Sequence, residues 1–227
     1  MYDILETGGQ YSSGKGETEI LDELHHYNDL YRQAPKQNAM EWMEFLSRKY
    51  PATYRHCVRV AILAEKLADG MAIGEEEKKK LVIGCFLHDV GKGLLPTELW
   101  NQQASLSPEQ WDTLKLHPNA GADLIRTSSE LNPDILGIIR HHHEHWDGTG
   151  YPSGLKGEEI PYLARICAVL DAFDSMVSEH PYAEMKSLDE AKEELVRCSS
   201  TQFDETIVQA FLQLPNSMLG IYMDTSH

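Results

Sequence analysis

The sequence predicts an all-α protein, and three observations carry that reading. Apolar residues recur every three or four positions across most of the chain, which is the spacing of a helix face. No segment alternates polar and apolar residues convincingly over the length of a strand, and no internal repeat is visible. Residues that start and stop helices punctuate the chain at helical intervals.

Residues 1–19 carry Gly8, Gly9, Ser12, Ser13, Gly14 and Gly16 with few apolar groups, and read as a flexible leader or linker. Residues 20–50 read as a short helical extension. Ile20, Leu21, Leu24, Tyr27 and Tyr31 share a face until Ala34-Pro35 breaks the run. Met40, Trp42, Met43, Phe45 and Leu46 form a second helix that ends before Pro51. The main body spans 51–227. Its first helix carries His56, Val60, Leu63, Ala64 and Leu67 on one face and stops at Gly70. The next is expected from Glu75 to Val90, with the acidic run Glu75-Glu76-Glu77 at its dipole-favoured start and Gly91 closing it. Ser107-Pro108-Glu109-Gln110 combines an N-cap, a first-turn proline and a capping-box Gln, and the helix is expected to reach Arg126. Asn132-Pro133 starts another, expected to end near His145. A loop dense in turn residues follows from Asp147 to Gly154. Pro161 opens a helix to about Ser178, and helices near 188–198 and 204–214 complete the body.

Composition narrows the function. The 227 residues fit one large domain, or one domain with an appendage, and 41% hydrophobic content is enough for a core. A net charge of −16 argues against a protein that grips a nucleic-acid polymer by neutralising its phosphates. It leaves room for a small anionic substrate, because bound metal ions reverse a local field. Cys57, Cys85, Cys167 and Cys198 are scattered without a CxxC pair, which fits a reducing cytoplasm. The longest apolar stretch, Leu81 to Leu87, is far short of the roughly 20 residues that cross a bilayer. The start, MYDILETGGQ, lacks the basic and apolar regions of a signal peptide.

The unusual number is 11 histidines, because many of them gather with carboxylates. His88-Asp89 ends an otherwise apolar helix in LVIGCFLHDVGK. Taken alone, the pair reads as a helix-end His with a capping Asp. It is joined by His56 on the preceding helix, His117 before Pro118, the pair His142-His143, and Asp171 in the apolar run ICAVLDAF. A buried ionised group is costly unless it is paired or binds metal. Imidazole and carboxylate donors in this number suit Fe, Mn or Zn better than Ca or Mg. Seven such residues exceed what one ion needs, so two ions sharing a bridging carboxylate is the economical reading.

The order His56, HDVGK at 88–92, His117-Pro118, HHEHWDGTGYP at 142–152 and Asp171 resembles the HD-GYP family over about residues 53–214. That family consists of HD-superfamily phosphohydrolases that cleave cyclic dinucleotides, chiefly cyclic di-GMP. The resemblance implies an HD-type helical bundle with a Gly-rich GYP loop. It implies one metal on His56, His88, Asp89 and Asp171, and another on His117, His142 and His143, with Asp89 bridging. These would be two divalent transition-metal ions, Fe or Mn. A hydroxide between them would attack phosphorus, making Asp89 part of the catalytic centre. Lys92 would contact a substrate phosphate; the alternative is a solvated Lys at a helix C-terminus. Gly150, Tyr151 and Pro152 name the family and shape the loop without acting in the chemistry. The family loop is also associated with GGDEF-type protein partners, and a second copy of the chain is left open as a partner.

The sequence departs from the family pattern in two places. A third-metal subset carries Glu four residues before the first ligand His; Ala52 stands there, so two ions are expected. After Asp171 the family commonly has Arg-Pro-Tyr-Arg or Arg-Pro-Tyr-Lys, whose basic groups contact the dinucleotide. This chain has His180-Pro181-Tyr182-Ala183. His180 remains a substrate-binding candidate, Arg140 or Arg165 could compensate, and another nucleotide such as cyclic GMP–AMP stays open. A weakly active interaction module for GGDEF-type partners is the other alternative. His25, His26, His141 and His145 read as surface, rim or loop residues, and Trp146-Asp147 as a loop brace.

Overall fold

The computed structural model describes residues 39–96, 99, 106–128, 132–178 and 185–222. All of them fall in one compact unit running from Ala34 to His227. The expected helix at 20–31, the leader 1–19 and the stretch 180–183 lie outside the described residues.

Helix starts follow local chemistry. Helix α1 spans Ala39–Lys49 and α2 spans Pro51–Gly70, where the first-turn proline lacks only an N–H that would have no helical partner. Helix α3, Glu75–Leu87, places three glutamates at its positive end. Helix α4, Pro108–Leu114, begins with the full Ser107–Gln110 capping box. Helix α5 is His117–Ser128, and α6 is Pro133–His141, capped by Asn132 Oδ1 accepting from the Asp134 N–H at 2.8 Å. Helix α7 is Tyr162–Val177. Helix α8, Leu188–Arg197, has a Ser187–Glu190 capping box, and α9, Glu205–Leu212, is capped by Asp204. Short 3-10 helices occupy Val90–Leu94, Gly157–Glu159 and Asn216–Tyr222. Among the described residues there is no strand, only an isolated bridge between Ser199 and Phe203.

Two apolar clusters hold these helices together. One joins Leu63 and Leu67 of α2 to Leu170 and Phe173 of α7 and Phe211 of α9. The other joins Trp42 and Leu46 of α1 to Leu87 of α3, Ile125 of α5 and Ile139 of α6. Helices α2 and α3 contribute to both clusters.

Three expected helices stop early, and histidines mark each stop. Helix α3 ends at Leu87 rather than Val90, and the expected 107–126 helix breaks after Leu114. Helix α6 ends at His141 rather than near His145. Just past these ends, the Nδ1–H of His88 donates to the Cys85 carbonyl at 2.7 Å. His117 does the same to Leu114 at 2.8 Å, and His142 to Ile139 at 2.8 Å. The last carbonyls of a helix have no helical donor, and each imidazole supplies one three residues on.

Gly91 is also placed differently from expectation. It lies inside the 3-10 helix Val90–Leu94, not at the end of α3. Its role is close approach, since a Cβ there would stand 2.0 Å from the His117 carbonyl oxygen and 2.7 Å from the Gly121 nitrogen. Gly91→Ala is therefore expected to destabilise the fold by at least about 1–3 kcal/mol, the usual effect of overpacking. Gly137 lies in α6 with its nearest neighbour, Pro161, at 3.7 Å. Gly137→Ala should instead stabilise by roughly 0.5–1 kcal/mol through helix propensity. Urea denaturation of the two variants checks both signs.

Candidate metal centre

The three helix-end histidines aim at one point. A carbonyl only accepts, so Nδ1 of His88, His117 and His142 carries the proton, and Nε2 of each turns inward. His56 reaches the same place from the second turn of α2, and Asp171 from α7. His56 Nε2 lies 3.2 Å from His88 Nε2 and 3.0 Å from Asp171 Oδ1. His117 Nε2 lies 3.3 Å from His142 Nε2 and 3.3 Å from Asp89 Oδ1. Asp89 Oδ2 is 3.7 Å from His56 Nε2 and 3.6 Å from His88 Nε2.

The structure thus brings all seven sequence-predicted donors together. His56, His88 and Asp171 form one group, and His117, His142, His143 and Asp89 form another, each with donor atoms within 4.8 Å of one another. Asp89 stands between them. It is 1% exposed, and neither carboxylate oxygen has a hydrogen-bond partner of good geometry. Its close contacts are imidazole nitrogens and Lys92 Nζ, 2.6 Å from Oδ2. A buried carboxylate so placed, among nitrogen donors, fits a divalent transition-metal ion.

The titration behaviour of the two groups differs. Burial pushes His56 down, but hydrogen bonds to Asp171 and Asp174 outweigh it and raise the pKa to about 10. Burial also opposes His88, but the neighbouring Asp89 charge, with Asp171, lifts its pKa to about 9. For His117, His142 and His143 burial wins, with His143 lowered to about 3. Opposing its own burial, Lys92 and His88 hold Asp89 well below the carboxylate range. An ion held by His56 and His88 would displace protons, and its affinity would weaken as the pH falls.

The GYP loop is built against the second group. Tyr151 stacks on His143 with ring centroids 4.8 Å apart, and its N–H donates to the His143 carbonyl at 3.1 Å. A Cβ on Gly150 would stand 2.2 Å from the His145 nitrogen and 2.5 Å from the His143 oxygen, so only glycine fits. Pro152 is half-buried beside Tyr151. His145 bonds Thr149 at 3.0 Å, and the half-buried His141 faces Glu144 at 3.4 Å. Arg165 lies over the Trp146 and Tyr162 rings and donates to Asp204 at 2.7 Å, while Arg140 donates to Asp123 at 2.8 Å. Both candidate compensating cations are thus engaged in ion pairs. Ala52 is exposed one turn before His56. His180 and Ala183 lie outside the described residues.

Sequence reasoning missed several residues. Asp174, fully buried, accepts from His56 Nδ1–H at 2.7 Å and from Arg59 at 2.7 and 2.8 Å. The available signal was spacing, with Arg59 three residues after His56 and Asp174 three after Asp171. Cys57 brings a buried thiol near His88 and Asp89, and burial pushes its pKa up, keeping it neutral. Glu144, 2% exposed, accepts from the N–H groups of Ser153 at 2.7 Å and Leu155 at 3.1 Å. It lay in plain view inside HHEHWDGTGYP.

The HD domain family matches residues 42–207, which contain the whole constellation. The chain belongs to the HD domain family. Its HDVGK and HHEHWDGTGYP segments make it an HD domain of the HD-GYP type. It is 38% identical over 184 residues to a cyclic di-GMP phosphodiesterase of Thermotoga maritima, covering 77% of this chain and 49% of that protein. It is 28% identical over 191 residues to the 3'3'-cGAMP-specific phosphodiesterase 2 of Vibrio cholerae, covering 84% of this chain and 37% of that one. Among solved structures it resembles Bd1817, a HDG"Y"P protein from Bdellovibrio bacteriovorus. That match has 26% identity and a TM-score of 0.60, over 73% of this chain and 52% of the other. The chain spans about half or less of these proteins' length. Among the described residues no helix is long and apolar enough to cross a membrane.

Glu144 gives this HD domain a local test. Charge-assisted hydrogen bonds are worth about 1.5–3 kcal/mol each. Glu144→Ala should accelerate amide exchange at Ser153 and Leu155 by tenfold or more, roughly the effect of 1.4 kcal/mol, while exchange along α2 stays as in the parent.

Proposed function

We propose that this HD domain is a metal-dependent phosphodiesterase that opens a cyclic dinucleotide, with cyclic di-GMP as the leading substrate. The carrying observation is Asp89, a buried carboxylate whose close partners are imidazole nitrogens and Lys92, flanked by two groups of nitrogen and oxygen donors. His56, His88 and Asp171 would hold one divalent ion and His117, His142 and His143 the other, with Asp89 shared. When bound, such ions lower the pKa of water and neutralise phosphate charge. Fe and Mn suit the donor set, and Ala52 supports two ions rather than three.

The chain's own groups do the rest. The Nδ1 anchors hold the imidazoles so that Nε2 faces inward. Lys92 places its ammonium at the edge of the centre with its side chain 22% exposed, where a substrate phosphate oxygen would approach. Asp171 keeps 14% exposure, so the centre opens to solvent on the α7 side. Ring-opening at one phosphodiester gives the linear dinucleotide, and a second cut gives GMP. Likeness to the Thermotoga maritima phosphodiesterase supports cyclic di-GMP.

A second reading is cyclic GMP–AMP. His180 and Ala183 stand where the family pattern carries two basic residues, which favours it, as does the likeness to the Vibrio cholerae cGAMP-specific protein. The resemblance also assigns a GGDEF-type partner to the loop, whose Ser153 and Gly154 are exposed beyond Tyr151.

The test is turnover of cyclic di-GMP, 3'3'-cGAMP and cyclic di-AMP by the chain loaded with Mn or Fe, with products separated. The metal-loaded chain should linearise cyclic di-GMP fastest; faster turnover of 3'3'-cGAMP would select the second reading. Partners behind metal ligands are worth about 10–100-fold, so removing the shared ligand in Asp89→Asn should lower turnover by at least about a hundredfold and release an ion without loss of helicity. Unchanged turnover in that variant, or none on any of the three nucleotides by the loaded parent, would sink the proposal.

A further inference from the structure

Four of the ligand histidines have their Nδ1 atoms anchored, but not alike. His88, His117 and His142 donate to backbone carbonyls at the ends of their own helices. His56 donates to a carboxylate, Asp174 Oδ2, at 2.7 Å across the gap between α2 and α7. A full negative charge behind an imidazole raises the basicity of the opposite nitrogen more than a neutral carbonyl does.

Asp174 is itself held by a fixed fork. Arg59 Nε donates to Oδ1 at 2.7 Å and Nη2 to Oδ2 at 2.8 Å, and Ser178 Oγ adds a bond at 3.3 Å. The carboxylate is fully buried, and these partners fix both of its oxygens. The arrangement has a simple symmetry. Helix α2 carries His56 and, three residues on, Arg59; helix α7 carries Asp171 and, three residues on, Asp174, so the brace of His56 comes from α7 and the clamp on that brace comes from α2. The fork ties the two helices together and so fixes the distance between the two ligands.

The other group has a different charge balance. His117, His142 and His143 share only Asp89, and the anchors of His117 and His142 are neutral. We infer that Asp174, clamped by Arg59, is a positioning residue that makes the His56–His88–Asp171 side the tighter of two unequal ion sites. The inference rests on the two-ion reading above and adds a ranking of the sites.

The experiment is equilibrium dialysis of the full chain against Mn2+, with bound metal counted by elemental analysis and folding checked by circular dichroism. The parent should bind two ions with separable affinities. Asp174→Asn keeps the size of the side chain and removes its charge, and should weaken the tighter ion about 10–100-fold while leaving the weaker one unchanged. Arg59→Lys keeps the charge and loses the fork, and should weaken the same ion by less. His142→Ala should remove the weaker ion alone. Equal affinities in the parent, or equal weakening of both ions in a folded Asp174→Asn protein, would overturn the ranking and leave the two-ion reading standing. A parent that binds no Mn2+ would overturn both.

Discussion

A carboxylate at the centre of an acidic protein is the constraint on which the rest of this structure depends. Asp89 is 1% exposed in a chain of net charge −16. Taking an ionised carboxylate out of water is unfavourable by several kcal/mol unless charge or hydrogen bonds replace the lost solvent. Around Asp89 the replacement comes from imidazole nitrogens and Lys92 rather than from backbone N–H groups. This choice leaves the oxygens addressable. A carboxylate satisfied by backbone donors would be inert, whereas the imidazoles around an ionised Asp89 could give up protons in favour of a metal ion.

Helix ends solve the positioning problem. Helices α3, α4 and α6 stop just before three of the candidate ligand histidines, and each histidine caps its helix through Nδ1. One bond thereby terminates the helix, fixes the tautomer and turns Nε2 inward. Gly91 allows the segment after Asp89 to lie against the start of α5, and Gly150 allows the loop after His143 to fold back over its own backbone. Both glycines serve the convergence rather than the ends of helices.

Much of this was legible in the sequence. The all-α class follows from periodicity, and the caps at Ser107, Asn132 and Ser187 are where local chemistry puts them. The seven donors are visible because His and Asp stand out in apolar surroundings. The helix ends at Leu87, Leu114 and His141 were not legible, since an apolar period runs on past a residue whose side chain captures an i−3 carbonyl. Asp174 and Arg59 were hidden for another reason. A salt bridge between helices far apart in sequence leaves only an i+3 echo beside His56 and Asp171, and such spacings are common on any helix surface. Glu144 was overlooked because its partners are backbone N–H groups, which carry no sequence signature.

The central claim is that Asp89 joins two ion sites. Anomalous diffraction from crystals of the chain grown with Mn2+ tests it directly. Two manganese peaks should appear, one against His56, His88 and Asp171 and the other against His117, His142 and His143, with Asp89 reaching both. A single peak, or two peaks of which neither touches Asp89, would contradict the account.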